Sequence, residues 1–263
     1  MVALRVRGVN FNYELDGPED GTPLVLSNSL ASNLHMWDAQ MAALVADGWR
    51  VLRYDNRGHG RTEAVAGPYS IDMLSDDMVA LLDAVGLDTV HFCGLSLGGM
   101  VGQMTAVRHA GRLRSLTLCD TAAYMGPFSL WAERIAAVES GGMATVVEGT
   151  VQRWFTAAGR ERLPGEVDTI RAGIAATSAA GYCGCCAAIR DMDQRESIRG
   201  ITVPTHVIVG ADDPSTPVTS AQLIHEHIAG SRLTVIPAAA HLANIEQAAL
   251  FNVTLLDFLR SQR

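Results

Sequence analysis

Residues 90–104 read VHFCGLSLGGMVGQM, and the fold of the whole chain follows from how this stretch is read. The β-branched and aromatic run Thr89, Val90, His91, Phe92 and Cys93 predicts a strand. It gives way to Gly94-Leu95-Ser96-Leu97-Gly98-Gly99 and then to a helical pattern, so strand, tight turn and helix follow without a gap. A G-x-S-x-G turn between a strand and a helix is the nucleophile elbow. Its serine sits on a strained backbone, and the two flanking glycines let strand and helix approach without a Cβ clash. Ser96 is therefore the candidate nucleophile. The amide of Leu97, first in the helix, is a candidate oxyanion donor.

Apolar alternation predicts an antiparallel hairpin over residues 4–15. Strands follow at 23–27 and 50–54 around a helix at 34–47. A helix over 71–85 has Ser70 as its N-cap, and after the elbow come strands at 115–119, 201–209 and 232–236, a helix at 218–228 and a closing helix at about 244–260. Strands alternating with helices predict an α/β fold, a mostly parallel sheet covered on both faces. Residues 121–196 break the rhythm, with helical periodicity and no convincing strand. They are expected to form a helical cap inserted after the sixth strand, over a core made of 1–120 and 197–263, where such sheets bind ligands at the carboxyl ends of their strands.

The chain has 263 residues, 48% of them hydrophobic and 18% charged, enough to bury one sizeable core. A net charge of -8 without a basic stripe argues against nucleic acid as a partner. No stretch reads as a secretion signal or a membrane span, so a soluble, cytoplasmic protein is expected, and a homo-oligomer is compatible with the sequence. Five cysteines, Cys93, Cys119, Cys183, Cys185 and Cys186, are an odd number, two of them in strand patterns, which suits a reducing compartment. The cluster at 183–186 lacks a neighbouring histidine or fourth thiol and reads as packing, so no metal and no cofactor are expected.

A serine nucleophile needs a base, and the base needs a carboxylate to hold its tautomer. His241 follows the last strand and precedes the closing helix, a loop that reaches over the sheet toward Ser96. His59 reads instead as a turn residue and His91 as an interior strand residue. For the acid, Asp120, Asp212 and Asp213 all stand at strand ends in the chain order Ser, Asp, His; the Gly210-x-x-Asp213 spacing favours Asp213. The loop Ser27-Asn28-Ser29-Leu30 stands where many such enzymes carry His-Gly followed by the donor residue; if Asn28 and Ser29 take those two places, the Leu30 amide is the expected second oxyanion donor.

These features together resemble the α/β-hydrolase superfamily: the elbow, DNRGHG at 55–60, GADD at 210–213 and AHL at 240–242. More narrowly the chain resembles the 3-oxoadipate enol-lactonases, on LSNSL at 26–30, LHMW at 34–37, RWFT at 153–156 and above all GYCGCCAAIRDMD at 181–193. The resemblance covers nearly the whole chain. It implies a serine hydrolase that opens a five-membered enol-lactone bearing an acetate arm, so the pocket must accept a carboxylate. Trp131 and Arg134, three residues apart on a cap helix, are the expected substrate-binding pair, with Arg190 and then Arg153 as further candidates. The rival readings are a general carboxylesterase, lactonase or C–C bond hydrolase of the same fold, and a hydrolase-fold ligand receptor without turnover.

Overall fold

The computed structural model describes residues 3–263. The chain opens with β1 (Ala3–Val6) and β2 (Val9–Asp16), an antiparallel hairpin that turns at Arg7 and Gly8, both at positive φ. Then β3 (Thr22–Ser27), α1 (Asp38–Ala46), β4 (Trp49–Tyr54), α2 (Ile71–Ala84), β5 (Val90–Leu95), α3 (Leu97–Arg108) and β6 (Leu113–Cys119) alternate strictly. The helices α4 (Phe128–Gly141), α5 (Val147–Trp154), α6 (Ala157–Arg162), α7 (Pro164–Ala176) and α8 (Ala179–Arg190) intervene before β7 (Thr205–Gly210). The chain ends with α9 (Val218–His227), β8 (Arg232–Ile236), α10 (Ala243–Glu246) and α11 (Ala248–Arg260).

The eight strands form one sheet in the order β1-β2-β4-β3-β5-β6-β7-β8, parallel from β4 to β8. The chain moves one way along the sheet from β3 to β4 and the other way from β4 to β5. Along the sheet α1 packs on β4, α3 on β3, β5 and β6, and α9 on β7 and β8, with α2 against α3 and α11 against α1; right-handed crossovers are the rule for parallel strands connected in this way. Both faces being covered, the central strands carry no polar alternation: every residue of β5 and of β7 is buried. The reversal leaves a crevice between the carboxyl ends of β3 and β5, the place where open α/β sheets accept ligands.

Local chemistry moves some expected boundaries. The helix read at 34–47 is a 3-10 turn, Leu34–Trp37, followed by α1, because Asn33 caps the first turn by accepting from the His35 amide and Asp55 Oδ1 takes the Leu34 amide at 2.8 Å. Strand β7 starts at Thr205 rather than 201, after Pro204, which has no amide to give the ladder. The closing helix is broken at Gln247 into α10 and α11. Ser70 caps α2 as expected, accepting from the Met73 amide at 3.1 Å.

Between Cys119 and Thr205 the described chain is helical. It departs and returns at one place, where Tyr124 bridges Asp193 and the Gln194 amide donates to the Ala123 carbonyl at 2.8 Å. Within this excursion α4 packs on α8 and α5 on α7. Among the described residues no single helix is long and apolar enough to cross a membrane.

Among the described residues, three histidines are buried without a carboxylate in hydrogen-bond contact. His91 bonds Ser115 Oγ at 2.7 Å and meets the Trp49 ring edge-on, and His206 bonds Thr234 Oγ1 at 2.8 Å. Burial, aided by nearby arginines, pushes both down to about 4. His59, expected as an ordinary turn residue, is fully enclosed, bonds the Arg57 carbonyl at 3.1 Å and is also lowered by burial. A group lowered in the folded state is protonated first in the unfolded chain, so its stabilising contribution is lost as pH falls from the ordinary value near 6.5 toward 4. Stability should therefore decline steadily between pH 6.5 and 4.5, with unfolding taking up about two or more protons. Urea titrations across that range check this; a midpoint that does not move would contradict it.

Candidate active site

Ser96 stands between β5 and α3 with φ 56° and ψ −114°, a conformation that costs about 1–3 kcal/mol and persists only where its surroundings enforce it. They do so through close backbone approach. A Cβ on Gly94 would lie 2.3 Å from the Gly98 carbonyl oxygen, and one on Gly98 would lie 2.1 Å from that of Ser27. The Ser96 amide donates to the Cys119 carbonyl at 2.9 Å, and Thr121 Oγ1 donates to the Ser96 carbonyl at 2.7 Å. The turn is thus bolted to β3 on one side and β6 on the other. Leu97 opens α3, where first-turn amides have no acceptor within the helix.

The loop after β3 is equally constrained. Asn28 Nδ2 donates to the Tyr54 carbonyl at 2.7 Å, Asn28 Oδ1 accepts from Trp37 Nε1 at 3.0 Å, and the Asn28 carbonyl accepts from Asn56 Nδ2 at 3.1 Å. The Ser29 amide is engaged by Met36 Sδ at 3.3 Å. Leu30 follows, on the wall of the same cavity as Ser96.

His241 Nδ1 lies 2.8 Å from Asp213 Oδ2, both side chains almost wholly buried. Asp213 also accepts from the Ser215 amide at 2.7 Å, the Thr216 amide at 3.2 Å and Thr216 Oγ1 at 2.6 Å. Burial pushes this carboxyl up, but the His241 ring and these donors outweigh it and hold Asp213 below the usual carboxylate range. The other two carboxylates are elsewhere. Asp212 is exposed, while Asp120, at positive φ, turns Oδ1 to the Gly210 amide at 2.7 Å. Burial and the neighbouring Asp213 push Asp120 well above the carboxylate range. Ser96 Oγ and His241 line one cavity without a hydrogen bond between them; catalytic contacts of this kind commonly tighten only around substrate.

That cavity measures about 310 Å³, the size for a small molecule. Trp131, Arg134, Arg153, Trp154 and Tyr182 from the helical excursion close it over Ser96. The Arg134 guanidinium lies over the Trp131 ring, 4.7 Å from its centroid, as the i,i+3 spacing suggested. Arg153 donates to Thr150 Oγ1 at 3.2 Å, and burial together with the charge of Arg134 lowers its pKa. Among the described residues neither guanidinium has a carboxylate partner.

Arg190 does not belong to this cavity. It pairs with Asp191, Nε to Oδ1 2.8 Å, and covers the Phe128 ring at 4.6 Å. On α8 the cavity is lined by Tyr182 and Ile189, seven residues apart on one face, and Arg190 is a further 100° around the helix. Arg153 takes its place among the residues facing Ser96, together with Trp154, whose ring centroid is 6.0 Å from that of His241. The spacing of Thr150, Arg153 and Trp154, i, i+3 and i+4, is the signal that one face of α5 is used.

Comparison with known proteins adds the family. The model of the alpha/beta hydrolase fold matches residues 22–248. The chain is 38% identical to 3-oxoadipate enol-lactonase 2 of Acinetobacter baylyi, over 95% of this chain and 92% of that one. It is 32% identical to a candidate carbamate hydrolase of Variovorax paradoxus, over 94% and 95% of the two chains. The crystal structure of the enol-lactonase from Burkholderia xenovorans superposes with a TM-score of 0.95 at 39% identity, covering 98% of this chain and 99% of that one. With its elbow, its buried His–Asp pair and this match over most of its length, the chain belongs to the α/β-hydrolase family.

Proposed function

We propose that the protein hydrolyses an ester bond, and that its substrate is 3-oxoadipate enol-lactone, opened to 3-oxoadipate in the β-ketoadipate pathway of aromatic catabolism. The relatives named as enol-lactonases support the reaction class. The observation that carries the finer reading is the pair Arg134 and Arg153, two half-buried guanidiniums without carboxylate partners in the cavity that holds Ser96. Partly desolvated cations favour an anion beside them, and the acetate arm of this lactone supplies one.

In this reading Ser96 Oγ attacks the lactone carbonyl while His241 Nε2 takes its proton. Asp213, ionised and bonded to Nδ1, holds the tautomer that leaves Nε2 free to accept and steadies the imidazolium. The amides of Leu30 and Leu97 receive the oxyanion. Collapse of the tetrahedral intermediate breaks the ring C–O bond, and the enolate released, a weaker base than an alkoxide, takes the proton held on His241 Nε2 and tautomerises to the ketone. Water then gives a proton to His241 and adds to the acyl-enzyme; as the ester bond to Ser96 breaks, His241 returns that proton to Ser96 Oγ and the new carboxylate is freed. The route uses side chains and backbone amides alone.

A carbamate hydrolase or a general esterase would run on the same machinery, and the similarity to the Variovorax protein favours testing the former. The substrates separate them. Ser96→Ala should abolish every hydrolytic activity, on the order of 10⁶ in kcat by the serine-protease precedent. Asp213→Asn should cost about 10⁴, and Asp212→Asn and Asp120→Asn far less. For the arginines, loss of one charge-assisted contact is worth roughly 1.5–3 kcal/mol, or about ten- to more than a hundredfold in kcat/KM. Arg134→Ala and Arg153→Ala should show that loss on the enol-lactone, followed by ultraviolet absorbance, and hardly any on a neutral phenyl ester. Arg190→Ala should leave both unchanged. Equal losses on charged and neutral substrates would reduce the pair to packing and remove the case for a dedicated lactonase.

A further inference from the structure

Glu246 takes no part in the chemistry above, yet it is buried at 3% exposure and, among the described residues, has no ion-pair partner. An ionisable carboxyl in such a place requires donors to offset its lost hydration. The donors come from two segments distant in sequence. On one side Oε2 accepts the amide of Ala240, the residue before His241, at 2.9 Å. On the other side both oxygens accept the amide of Thr156 at 3.2 Å, and Oε1 also accepts the Thr156 hydroxyl. Thr156 caps α6 directly after α5, the helix that carries Arg153 and Trp154.

The same junction is tied twice more. The Leu242 amide donates to the Trp154 carbonyl at 3.0 Å, and Arg162 Nη2 donates to the Glu246 carbonyl at 2.6 Å. Contact is close enough that a Cβ on Gly159 would lie 1.9 Å from Glu246 Oε1. The residues on both sides of His241 are therefore fastened to the helical excursion, with Glu246 at the centre of the joint.

We propose that Glu246 is a positioning residue: its carboxylate keeps the His241 loop in register with the α5–α6 junction, so that the base and the wall that reads the substrate hold a common geometry. The proposal rests on the reading of His241 as the base. Glutamine is the informative replacement, because it keeps the size of the side chain but turns one acceptor oxygen into an NH2 group, which cannot accept from Ala240 or Thr156.

Displacing a catalytic group by about 1 Å can cost on the order of a hundredfold. Glu246→Gln should lower kcat by about ten- to a hundredfold, equally on the enol-lactone and on a neutral phenyl ester. The low-field proton resonance of the His241–Asp213 hydrogen bond should shift or broaden in the same variant. Gly159→Ala, which pushes on the same carboxylate from outside the cavity, should move kcat and the resonance in the same direction and serves if Glu246→Gln does not fold. Wild-type kcat per titrated active site and an unmoved resonance in these variants, whatever their Tm, would overturn the proposal and leave Glu246 a strut. His241→Ala separates the premises: full activity in that variant would overturn the base reading and the joint together, whereas inactivity combined with neutral Glu246→Gln and Gly159→Ala would overturn the joint alone.

Discussion

The site depends first on one backbone contact, the approach of α3 to the end of β3. Gly98 faces the Ser27 carbonyl so closely that any side chain there would collide with it, and Gly94 faces the Gly98 carbonyl in the same way. This approach brings Ser96 to the crevice created where the strand order reverses, and brings the loop of Ser29 and Leu30 beside it. The left-handed φ of Ser96 is the strain that the packing sustains, and it lifts a hydroxyl to the mouth of the sheet. Elements as distant as β6, through Cys119 and Thr121, contribute to holding it.

Electrostatics then sorts two neighbouring buried carboxyls into different states. Asp213 has three donors besides the imidazole and stays low; Asp120 has burial and the charge of Asp213 against it and is pushed high. Environments that drive a pair of like groups apart are how a single pocket fixes acid and base roles. Arg134 and Arg153 line the same cavity from helices that belong to the excursion, so in the proposed reading the chemistry and the recognition come from different parts of the chain.

What could be read from the sequence was what is local. The elbow is legible because two glycines at fixed spacing solve a steric problem within five residues, and Asp213 because a strand end and a Gly-x-x-Asp turn lie next to each other. The Trp131–Arg134 contact is legible for the same reason, as neighbours on one helix. Arg190 and Arg153 could not be ranked this way, since which helix face meets the cavity depends on how α5 and α8 dock, and docking is set by contacts outside either helix. Glu246 was invisible because its partner Thr156 is 90 residues away. The enclosure of His59 and the break at Gln247 are likewise consequences of what packs against them.

In the proposed function this cavity binds a carboxylate on the molecule whose lactone Ser96 attacks. The most direct measurement compares the wild-type protein on 3-oxoadipate enol-lactone and on the same lactone with its acetate arm methylated, following loss of the enol chromophore in both. The expected result is efficient opening of the free acid and a kcat/KM lower by about ten- to a hundredfold or more for the methyl ester, the cost of one charge-assisted contact. Equal rates on the two, or no opening of either, would contradict it.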